Sequence, residues 1–181
     1  MAGLVIRMKF LAISGSGRHA STNTAMLRSV CEIAAPEYQI TVFSGIADLP
    51  VFSPDAEAAQ LPPPVQHFVD LIKMNDGLII ASPEYVRSIP GGLKNAIDWL
   101  VSRDEIIEKP IALMHVSHRG DDMLAQLRLV LSTVSSRFAP EIFLKFELMK
   151  CTPEQISVDL LKPANRAQIT GFLQDFAKHS M

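Results

Sequence analysis

The sequence has little net charge and few cysteines, and each shortage excludes a class of function. Its 17 Lys and Arg residues against 19 Asp and Glu residues give a net charge of −2, which argues against a nucleic-acid partner. No cluster of Lys and Arg indicates attachment to a membrane surface. The 2 cysteines, Cys31 and Cys151, lie far apart without a Cys-x-x-Cys pair or a metal-binding spacing, which favours reduced thiols in a cytoplasmic protein.

Long hydrophobic runs and several catalytic signatures are also absent. No apolar run is long enough to cross a bilayer, and the opening segment MAGLVIRMKF is too short for a signal peptide. The motifs Gly-x-Ser-x-Gly, His-Glu-x-x-His and Asp-Phe-Gly do not occur. We therefore expect a cytoplasmic protein with no membrane partner, no metal site and no catalytic nucleophile of its own.

Apart from these absences, the amino-acid composition is that of an ordinary globular domain. The 181 residues, 48% hydrophobic and 20% charged, predict a single domain over residues 1–181. Helical spacing predicts helices at about 22–34, 63–76, 91–102, 123–138 and 164–179, with residues 48–64 as the one long irregular connection. Between the helices, apolar runs predict the strands MKFLAIS, QITVFSG, GLIIAS, KPIALMHVS and EIFLKFEL. Such strands, apolar on both faces, predict a doubly wound α/β fold: a five-stranded parallel sheet with helices on both faces.

The loop after the first strand is compatible with two kinds of nucleotide site. Its Gly-x-Gly-x-x-Ala pattern, which begins at Gly15, matches the fingerprint of a Rossmann loop that binds NAD. A Rossmann site also needs an acidic residue that holds the ribose, about 20 positions further on. The second strand ends in Phe43-Ser44-Gly45 without a carboxylate, and Glu37 precedes that strand instead of ending it. The Rossmann interpretation is therefore disfavoured.

The polar residues of the same loop fit the terminal phosphate of a mononucleotide better. The N–H groups at the start of the next helix can bind an anion, and Arg18 can add a charge-assisted hydrogen bond. The hydroxyl and amide side chains that can converge on the phosphate are Ser16, Ser21, Thr22 and Asn23. The alternative is that Ser21 or Thr22 only caps the helix, which is compatible with phosphate binding and explains one residue of the set.

The loop after the third strand carries a longer motif. The stretch PEYVRSIPGGLKNAIDWL, from Pro83 to Leu100, resembles the signature of the NADPH-dependent FMN reductases, the flavodoxin-like group that includes quinone, azo-dye and chromate reductases. That signature runs Pro-Glu-Tyr-Asn-Gly-Ser-Ile-Pro-Gly, followed closely by Leu-Lys-Asn-Ala-x-Asp-Trp-Leu. The first loop also resembles the family's Gly-Ser-x-Arg-x-x-Ser-x-Asn, through Gly15, Ser16, Arg18, Ser21 and Asn23. The two motifs occur in the family's order.

The resemblance implies a flavodoxin-like fold, FMN as cofactor and a site assembled from three loops. The phosphate would lie among the first-loop residues, and the isoalloxazine along Pro83, Glu84, Tyr85 and Val86. The loop after the fourth strand would complete the flavin site with Ser117, His118, Arg119 and Gly120. The resemblance also implies NADPH or NADH as electron donor and a homodimer or homotetramer.

The implied reaction is a ping-pong transfer through the flavin. A hydride would pass from the nicotinamide to FMN and then to a small-molecule electron acceptor, such as a flavin, a quinone, an azo dye or a metal oxyanion. No catalytic residue of the chain is required. Arg87 is the predicted substrate-binding residue, since it can attract the 2′-phosphate of NADPH or an anionic acceptor. An ordinary solvated arginine is the alternative for this position.

The sequence departs from the family at two places. The family's Asn-Gly is replaced by Val86-Arg87, which removes a polar side chain from the expected flavin edge and adds a cation near the mouth of the site. The loop after the fourth strand is less rich in glycine and shorter than is usual in the family. Because both changes fall where nicotinamide and acceptor would approach, a second hypothesis is an FMN-binding electron carrier or sensor without NAD(P)H turnover.

Overall fold

A computed structural model describes residues 7–58, 60–148 and 151–181, and these contain five β-strands and eight α-helices. The strands are β1 (Lys9–Ser14), β2 (Gln39–Phe43), β3 (Gly77–Ala81), β4 (Ile111–Val116) and β5 (Phe138–Phe146). The helices are α1 (Thr22–Ala34), α2 (Pro54–Ala58), α3 (Pro63–Met74), α4 (Gly91–Asp98), α5 (Asp104–Ile107), α6 (Asp121–Val134), α7 (Pro153–Leu160) and α8 (Pro163–Ser180). Within these ranges, no helix is both long and apolar enough to cross a membrane.

All five strands of the described chain pair in parallel in one sheet, in the order β2-β1-β3-β4-β5. This is the flavodoxin-like order, and it confirms the predicted doubly wound sheet. The direction of strand addition reverses between β1 and β3, which pair from Phe10–Gly77 to Ser14–Ala81. The loops that follow β1 and β3 therefore leave the same edge of the sheet side by side, where ligands of such folds bind.

The core lies in two layers, one on each face of the sheet. In β1, Leu11 and Ile13 pack toward α3, α4 and α6, whereas Phe10 and Ala12 pack toward α1, α7 and α8. This alternation follows from the two-residue period of a strand, and both faces are apolar because both are covered. With the faces closed by helices, the carboxyl edge of the sheet is left as the place for a ligand.

Several boundaries differ from the sequence prediction. The connection predicted to be irregular, residues 48–64, begins at the last residue of a short 3₁₀ helix, Ile46–Asp48, and contains helix α2. The helix predicted to reach Phe138 ends at Val134, because Ser135 is extended and its hydroxyl donates to the Lys109 carbonyl at 2.6 Å. The helix predicted over 91–102 ends at Asp98 and continues as turns.

Besides α2, two helices were not predicted from the sequence. Helix α5 has a single turn, Asp104–Ile107, and buries only Ile106. Helix α7 is fixed at its start by a capping box, in which the Thr152 hydroxyl accepts from the Gln155 N–H and the Gln155 side chain accepts from the Thr152 N–H. Neither helix carries enough apolar residues to show a helical period in the sequence.

Candidate functional site

The loop after β1 is in direct contact with the end of β3. The Gly15 N–H donates to the Ala81 carbonyl at 2.7 Å. A Cβ atom at Gly15 would lie 2.8 Å from Leu93 Cδ2 and 2.8 Å from Ser82 Oγ, closer than side-chain carbons approach other atoms. Glycine at this position therefore lets the first loop lie against the start of the second, as the strand order requires.

Hydrogen bonds from serine and threonine hydroxyls give the first loop its shape. The hydroxyls of Ser14 and Thr24 are 2.8 Å apart and buried, and Ser14 Oγ also accepts from the Ser16 N–H at 3.4 Å. Ser16 Oγ in turn accepts from the Arg18 N–H at 3.3 Å. The loop is thus held from within by its own polar side chains. Sequence analysis missed Ser14 and Thr24, although a polar residue at the last position of an apolar strand was a usable signal.

At the start of α1, one polar side chain has a hydrogen-bond partner and another has a buried oxygen without one in the described residues. Ser21 is the N-cap, and its hydroxyl accepts from the Thr24 N–H at 3.3 Å, as the capping alternative supposed. Thr22 is half-buried. Asn23 is 3% exposed, yet its Oδ1 atom has no hydrogen-bond partner in the described residues. Because rotation of an amide exchanges its oxygen and NH₂ group, Asn23 can donate to a phosphate at this point.

A polar cleft of about 170 Å³ opens beside the loop. It is lined by Gly17, Arg18, His19, Thr24, Arg28, Ser44, Ala47 and Asp48. Neither Arg18 nor Arg28 pairs with a carboxylate anywhere in the described part of the chain, so their charges are available to an anion. The cleft, the orphaned amide and the N-terminus of α1 together fit a terminal phosphate group. Arg28, one helical turn beyond Thr24, was not among the predicted residues.

The loop after β3 contains a tight turn at Tyr85–Ser88. The Tyr85 N–H donates to the Ser88 carbonyl at 3.1 Å, and the Ser88 N–H donates to the Tyr85 carbonyl at 3.0 Å. Both central residues have positive φ, +51° at Val86 and +57° at Arg87, as in a type I′ turn. Asn-Gly is the preferred pair for that turn, so the departure from the family alters the backbone preference of the turn as well as its side chains.

The β3 loop is docked on the start of α6. The Glu84 carboxylate accepts from the Met123 N–H at 3.2 Å, and the Gln126 side chain donates to the Arg87 carbonyl at 3.1 Å. Arg87 Nε lies 2.6 Å from Asp122 Oδ2, and this hydrogen-bonded carboxylate raises the pKa of the Arg87 guanidinium. Glu84 thus positions the loop, and the charge of Arg87 is paired with Asp122.

The loop after β4 lies next to the β3 loop. Ser117 Oγ accepts from the Arg119 N–H at 3.0 Å, while the side chains of His118 and Arg119 are exposed. Gly120 is buried and has φ +117°, a backbone conformation that favours glycine. Below it lies the side chain of His115, the one polar residue in β4 and a position that sequence analysis passed over.

The three loops converge at the carboxyl edge of the sheet. The predicted site residues on them are Ser16, Arg18, Ser21, Thr22, Asn23, Pro83, Glu84, Tyr85, Val86, Arg87, Ser117, His118, Arg119 and Gly120. In the described residues, no group of three or more His, Cys, Asp or Glu side chains could hold a metal ion. The loops present mainly backbone, hydroxyl groups and arginine side chains at this edge.

The second half of the long motif has a structural role in this chain. Trp99 is fully buried, and its indole N–H donates to the Pro50 carbonyl at 2.8 Å. Asn95 donates to the same carbonyl at 3.0 Å and accepts from the Phe52 N–H at 2.8 Å. These side chains hold the segment after β2 against α4, at a distance from the loop that contains Pro83.

Comparison with curated proteins gives relatives that are reductases. A quinone reductase of Escherichia coli K12 is 34% identical over 107 residues, which are 59% of this chain and 55% of that protein. An NAD(P)H-dependent FMN reductase of Pseudomonas aeruginosa is 38% identical over 112 residues, 61% of this chain and 60% of that protein. The chain therefore spans a little over half the length of these relatives.

Solved structures share the fold. The NAD(P)H:(acceptor) oxidoreductase FerB of Paracoccus denitrificans matches with a TM-score of 0.73 at 22% identity, over 95% of this chain and 98% of its own. Flavodoxin 1 of Bacillus cereus matches with a TM-score of 0.58 at 17% identity, over 94% and 98%. At these identities the similarity establishes a flavodoxin-like fold.

The family model for NADPH-dependent FMN reductases matches residues 8–147, which include the three loops and all five strands up to the last residue of β5. This match covers well over half of the chain and agrees with the two motifs identified from the sequence. FMN is the cofactor of that family, and NAD(P)H its electron donor. The chain belongs to the NADPH-dependent FMN reductases, a family of oxidoreductases with the flavodoxin-like fold.

Proposed function

We propose that this chain is an oxidoreductase that binds FMN at the carboxyl edge of its sheet and uses NAD(P)H to reduce a small acceptor. The observation that carries the proposal is the joined pair of loops after β1 and β3, with the Gly15 N–H bonded to the Ala81 carbonyl and Asn23 Oδ1 buried without a partner among the described residues. A loop with only a structural role would not require a buried side-chain oxygen without a hydrogen-bond partner at the start of a helix.

The first loop would hold the phosphate. The helix N-terminus supplies free N–H groups, and its partial positive charge favours an anion. Arg18 and Arg28 add positive charge from the adjoining cleft. The side chains that would donate directly are Ser16, Ser21, Thr22 and Asn23. Ser21 can donate its hydroxyl proton to the phosphate while its oxygen caps α1.

The β3 and β4 loops would hold the flavin ring. Pro83, Glu84 and Tyr85 present mainly backbone, because the Glu84 side chain is directed to the Met123 N–H. Val86 lies at the tip of the turn with its side chain exposed. Ser117, His118, Arg119 and Gly120 would border the ring from the β4 side. We propose Arg87 at the mouth of the site, where its Nε is paired with Asp122 and the remaining N–H groups of the exposed guanidinium would bind an anionic substrate.

When bound, FMN supplies the redox chemistry by accepting a hydride from NAD(P)H and passing two electrons to an acceptor. We propose that donor and acceptor use the same face in turn, in a ping-pong mechanism, because the three loops leave the same edge of the parallel sheet. Quinones are the first acceptor class to test, since relatives from Escherichia coli and Oryza sativa are named for quinone reduction. Flavins, azo dyes and metal oxyanions are the other classes.

Membership of the family supports three further proposals. They are a homodimer or homotetramer, a location in the cytoplasm, and a single domain over residues 1–181. Size-exclusion chromatography with light scattering tests the first, since a particle of monomer mass at micromolar concentration would contradict it.

The test is an anaerobic stopped-flow experiment. Apo-protein is loaded with FMN and mixed with NADPH or with NADH, and the flavin absorption is followed. A reductase bleaches the flavin at a rate that saturates with one of the nucleotides, and addition of a quinone restores the absorption. Arg87→Gln should raise the NADPH concentration that gives half the maximal rate, with little change for NADH.

Two other outcomes would contradict the proposal in different ways. If the protein binds FMN but neither nucleotide bleaches it, the alternative hypothesis of an electron carrier or sensor takes over. If the protein binds no FMN, the phosphate loop has another ligand and both hypotheses fail.

A further inference from the structure

His115 is a buried polar residue that no part of the proposed reaction uses. It lies in β4, in which every residue is buried, and its side chain is 1% exposed. Burial of an imidazole in an apolar layer is unfavourable unless hydrogen bonds replace the lost water. The partners of its ring therefore indicate why the residue is there.

Both ring nitrogens face backbone carbonyl groups of site loops, and since a carbonyl oxygen only accepts, the neutral ring donates to one of the two in each tautomer. Nδ1 lies 3.1 Å from the Ser82 carbonyl oxygen, directly before the Pro83-Glu84-Tyr85 segment. Nε2 lies 2.5 Å from the Arg119 carbonyl oxygen, in the loop after β4. We call these two contacts the His115 bridge. The two nitrogens of an imidazole lie in the plane of a rigid ring and are directed outward from different edges of it, so one side chain can reach both loops.

The β4 loop is shaped around this ring. A Cβ atom at Gly120 would lie 2.5 Å from His115 Nε2 and 2.7 Å from its Cε1, which leaves no space for a side chain. The positive φ of Gly120, +117°, carries the backbone over the ring. The glycine and the histidine thus form one unit, in which the loop closes on the imidazole.

The bridge also reaches the first loop through Ser82. The side chain of Ser82 lies against Gly15, since a Cβ at Gly15 would meet Ser82 Oγ at 2.8 Å. His115 therefore lies beneath the point where the three loops meet. The β3 loop has a second attachment, to α6 through Glu84, but that contact lies on the far side of Pro83.

We propose that His115 is a positioning residue for the flavin site: its ring lies between a carbonyl of the β3 loop and a carbonyl of the β4 loop and sets their spacing, with each ring nitrogen able to donate to the carbonyl that it faces when it carries the proton. The proposal builds on the proposed function, and it assigns to His115 no contact with the cofactor. It follows that loss of the bridge should loosen two loops that are not adjacent in sequence, and should weaken FMN binding because the loops must then be ordered on binding.

The test uses variants that keep one of the two contacts of the His115 bridge, or neither of them. His115→Phe keeps the ring and removes both nitrogens. His115→Asn places an amide near the position of Nδ1, and His115→Gln places one near Nε2. The control is His179→Phe, which removes a bond from His179 to the Arg137 carbonyl, 3.0 Å long, next to the start of β5 and away from the site loops.

Hydrogen exchange of the apo-proteins, followed by mass spectrometry, gives a readout that is independent of flavin. We expect faster exchange in residues 82–88 and 117–122 of His115→Phe, only in 117–122 of His115→Asn, and only in 82–88 of His115→Gln. A fluorescence titration with FMN should give a dissociation constant about tenfold higher for His115→Phe than for the wild type, as for the loss of an ordinary hydrogen-bond contribution. His179→Phe should match the wild type in both assays.

Three results would overturn the proposal. One is unchanged exchange in both loops of His115→Phe. Another is equal loosening of both loops in the Asn and Gln variants, which would point to general destabilisation. The third is an FMN affinity of His115→Phe equal to that of the wild type. Failure of the wild-type chain to bind FMN would refute the proposed function instead, and the exchange pattern would still decide whether His115 couples the two loops.

Discussion

Val86 has a backbone conformation that its side chain disfavours, and the structure gives the size of the effect. Its φ is +51°, and the side chain is 98% exposed, so no buried contact offsets the strain. A left-handed conformation costs a residue with a Cβ roughly 1–2 kcal/mol, and β-branched residues are at the unfavourable end. Asn tolerates the same conformation and is preferred in type I′ turns. We predict that Val86→Asn raises the free energy of unfolding by about 1 kcal/mol.

Thermal unfolding of the apo-protein, followed by circular dichroism, measures this gain. For a chain of 150–250 residues, 1 kcal/mol corresponds to about 2–4 °C in Tm. The matched control is Val51→Asn, because Val51 is also exposed, at 85%, and has no positive φ. Exposed substitutions without such a feature stay within about 0.5 kcal/mol. Val51→Asn should therefore leave Tm nearly unchanged.

Arg87→Asn distinguishes the effect of backbone strain on stability from the effect of the Arg87 charge in the same turn. It relieves a similar strain at φ +57° but removes the ion pair with Asp122, whose partners are 82% and 47% exposed. Because even an exposed ion pair stabilises the fold slightly, the net gain should be smaller than that of Val86→Asn. A Tm of Val86→Asn equal to or below that of the wild type would refute the argument that the turn is strained.

Three further predictions concern other parts of the chain. Gly15→Ala should lower the free energy of unfolding by about 1–3 kcal/mol through overpacking, and it should weaken FMN binding in a fluorescence titration. Gly17→Ala should do neither, because a Cβ at Gly17 would have its nearest contact at 3.4 Å. Asn95→Ala leaves the Phe52 N–H without its acceptor, so it should cost about 1–3 kcal/mol in urea unfolding without changing FMN affinity. Burial lowers the pKa of Lys109 below its ordinary 10.5, so just below pH 10.5 the unfolded chain binds more protons than the folded chain. The free energy of unfolding should therefore rise with pH in this range, and the rise should be smaller in Lys109→Met.

Each of these has a result that would contradict it. Equal effects of the two glycine substitutions would mean that the close packing of Gly15 is not what shapes the loop. A loss of FMN binding in Asn95→Ala at unchanged stability would give this motif residue a role in the site. For Lys109, identical pH dependence of wild type and Lys109→Met between pH 8 and pH 11 would mean that its charged form is not destabilised by folding.

The sheet could be predicted from the sequence because its strands are buried on both faces. The runs GLIIA in β3 and IALMHV in β4 are buried at every position, so they stand out without any periodicity. Helix α7 could not be found in this way. It has only two buried residues, Ile156 and Leu160, and its start depends on a side-chain cap. The end of α6 depends on the bond from Ser135 to Lys109, a contact that the sequence does not reveal.

The first loop could be proposed from the sequence as a phosphate site because its candidate residues are neighbours in the sequence. The His115 bridge could not, since its acceptors are backbone carbonyls 33 and 4 positions away, brought together by strand pairing. The tight turn at Val86 was not predicted because its two central residues are of types that argue against it. Valine and arginine disfavour positive φ, and the pairing of Tyr85 with Ser88 and the docking on α6 override that preference.

The central claim is that the loops after β1 and β3 form one mononucleotide site whose phosphate end is the loop from Gly15 to Asn23. The most direct test compares the binding of FMN and of riboflavin to the apo-protein by flavin fluorescence. Charge-assisted hydrogen bonds contribute about 1.5–3 kcal/mol each, so two of them predict at least about 100-fold tighter binding of FMN. Ser21→Gly, Asn23→Ala and Arg18→Gln should reduce this ratio and leave riboflavin binding unchanged. Equal affinities for FMN and riboflavin would contradict the account.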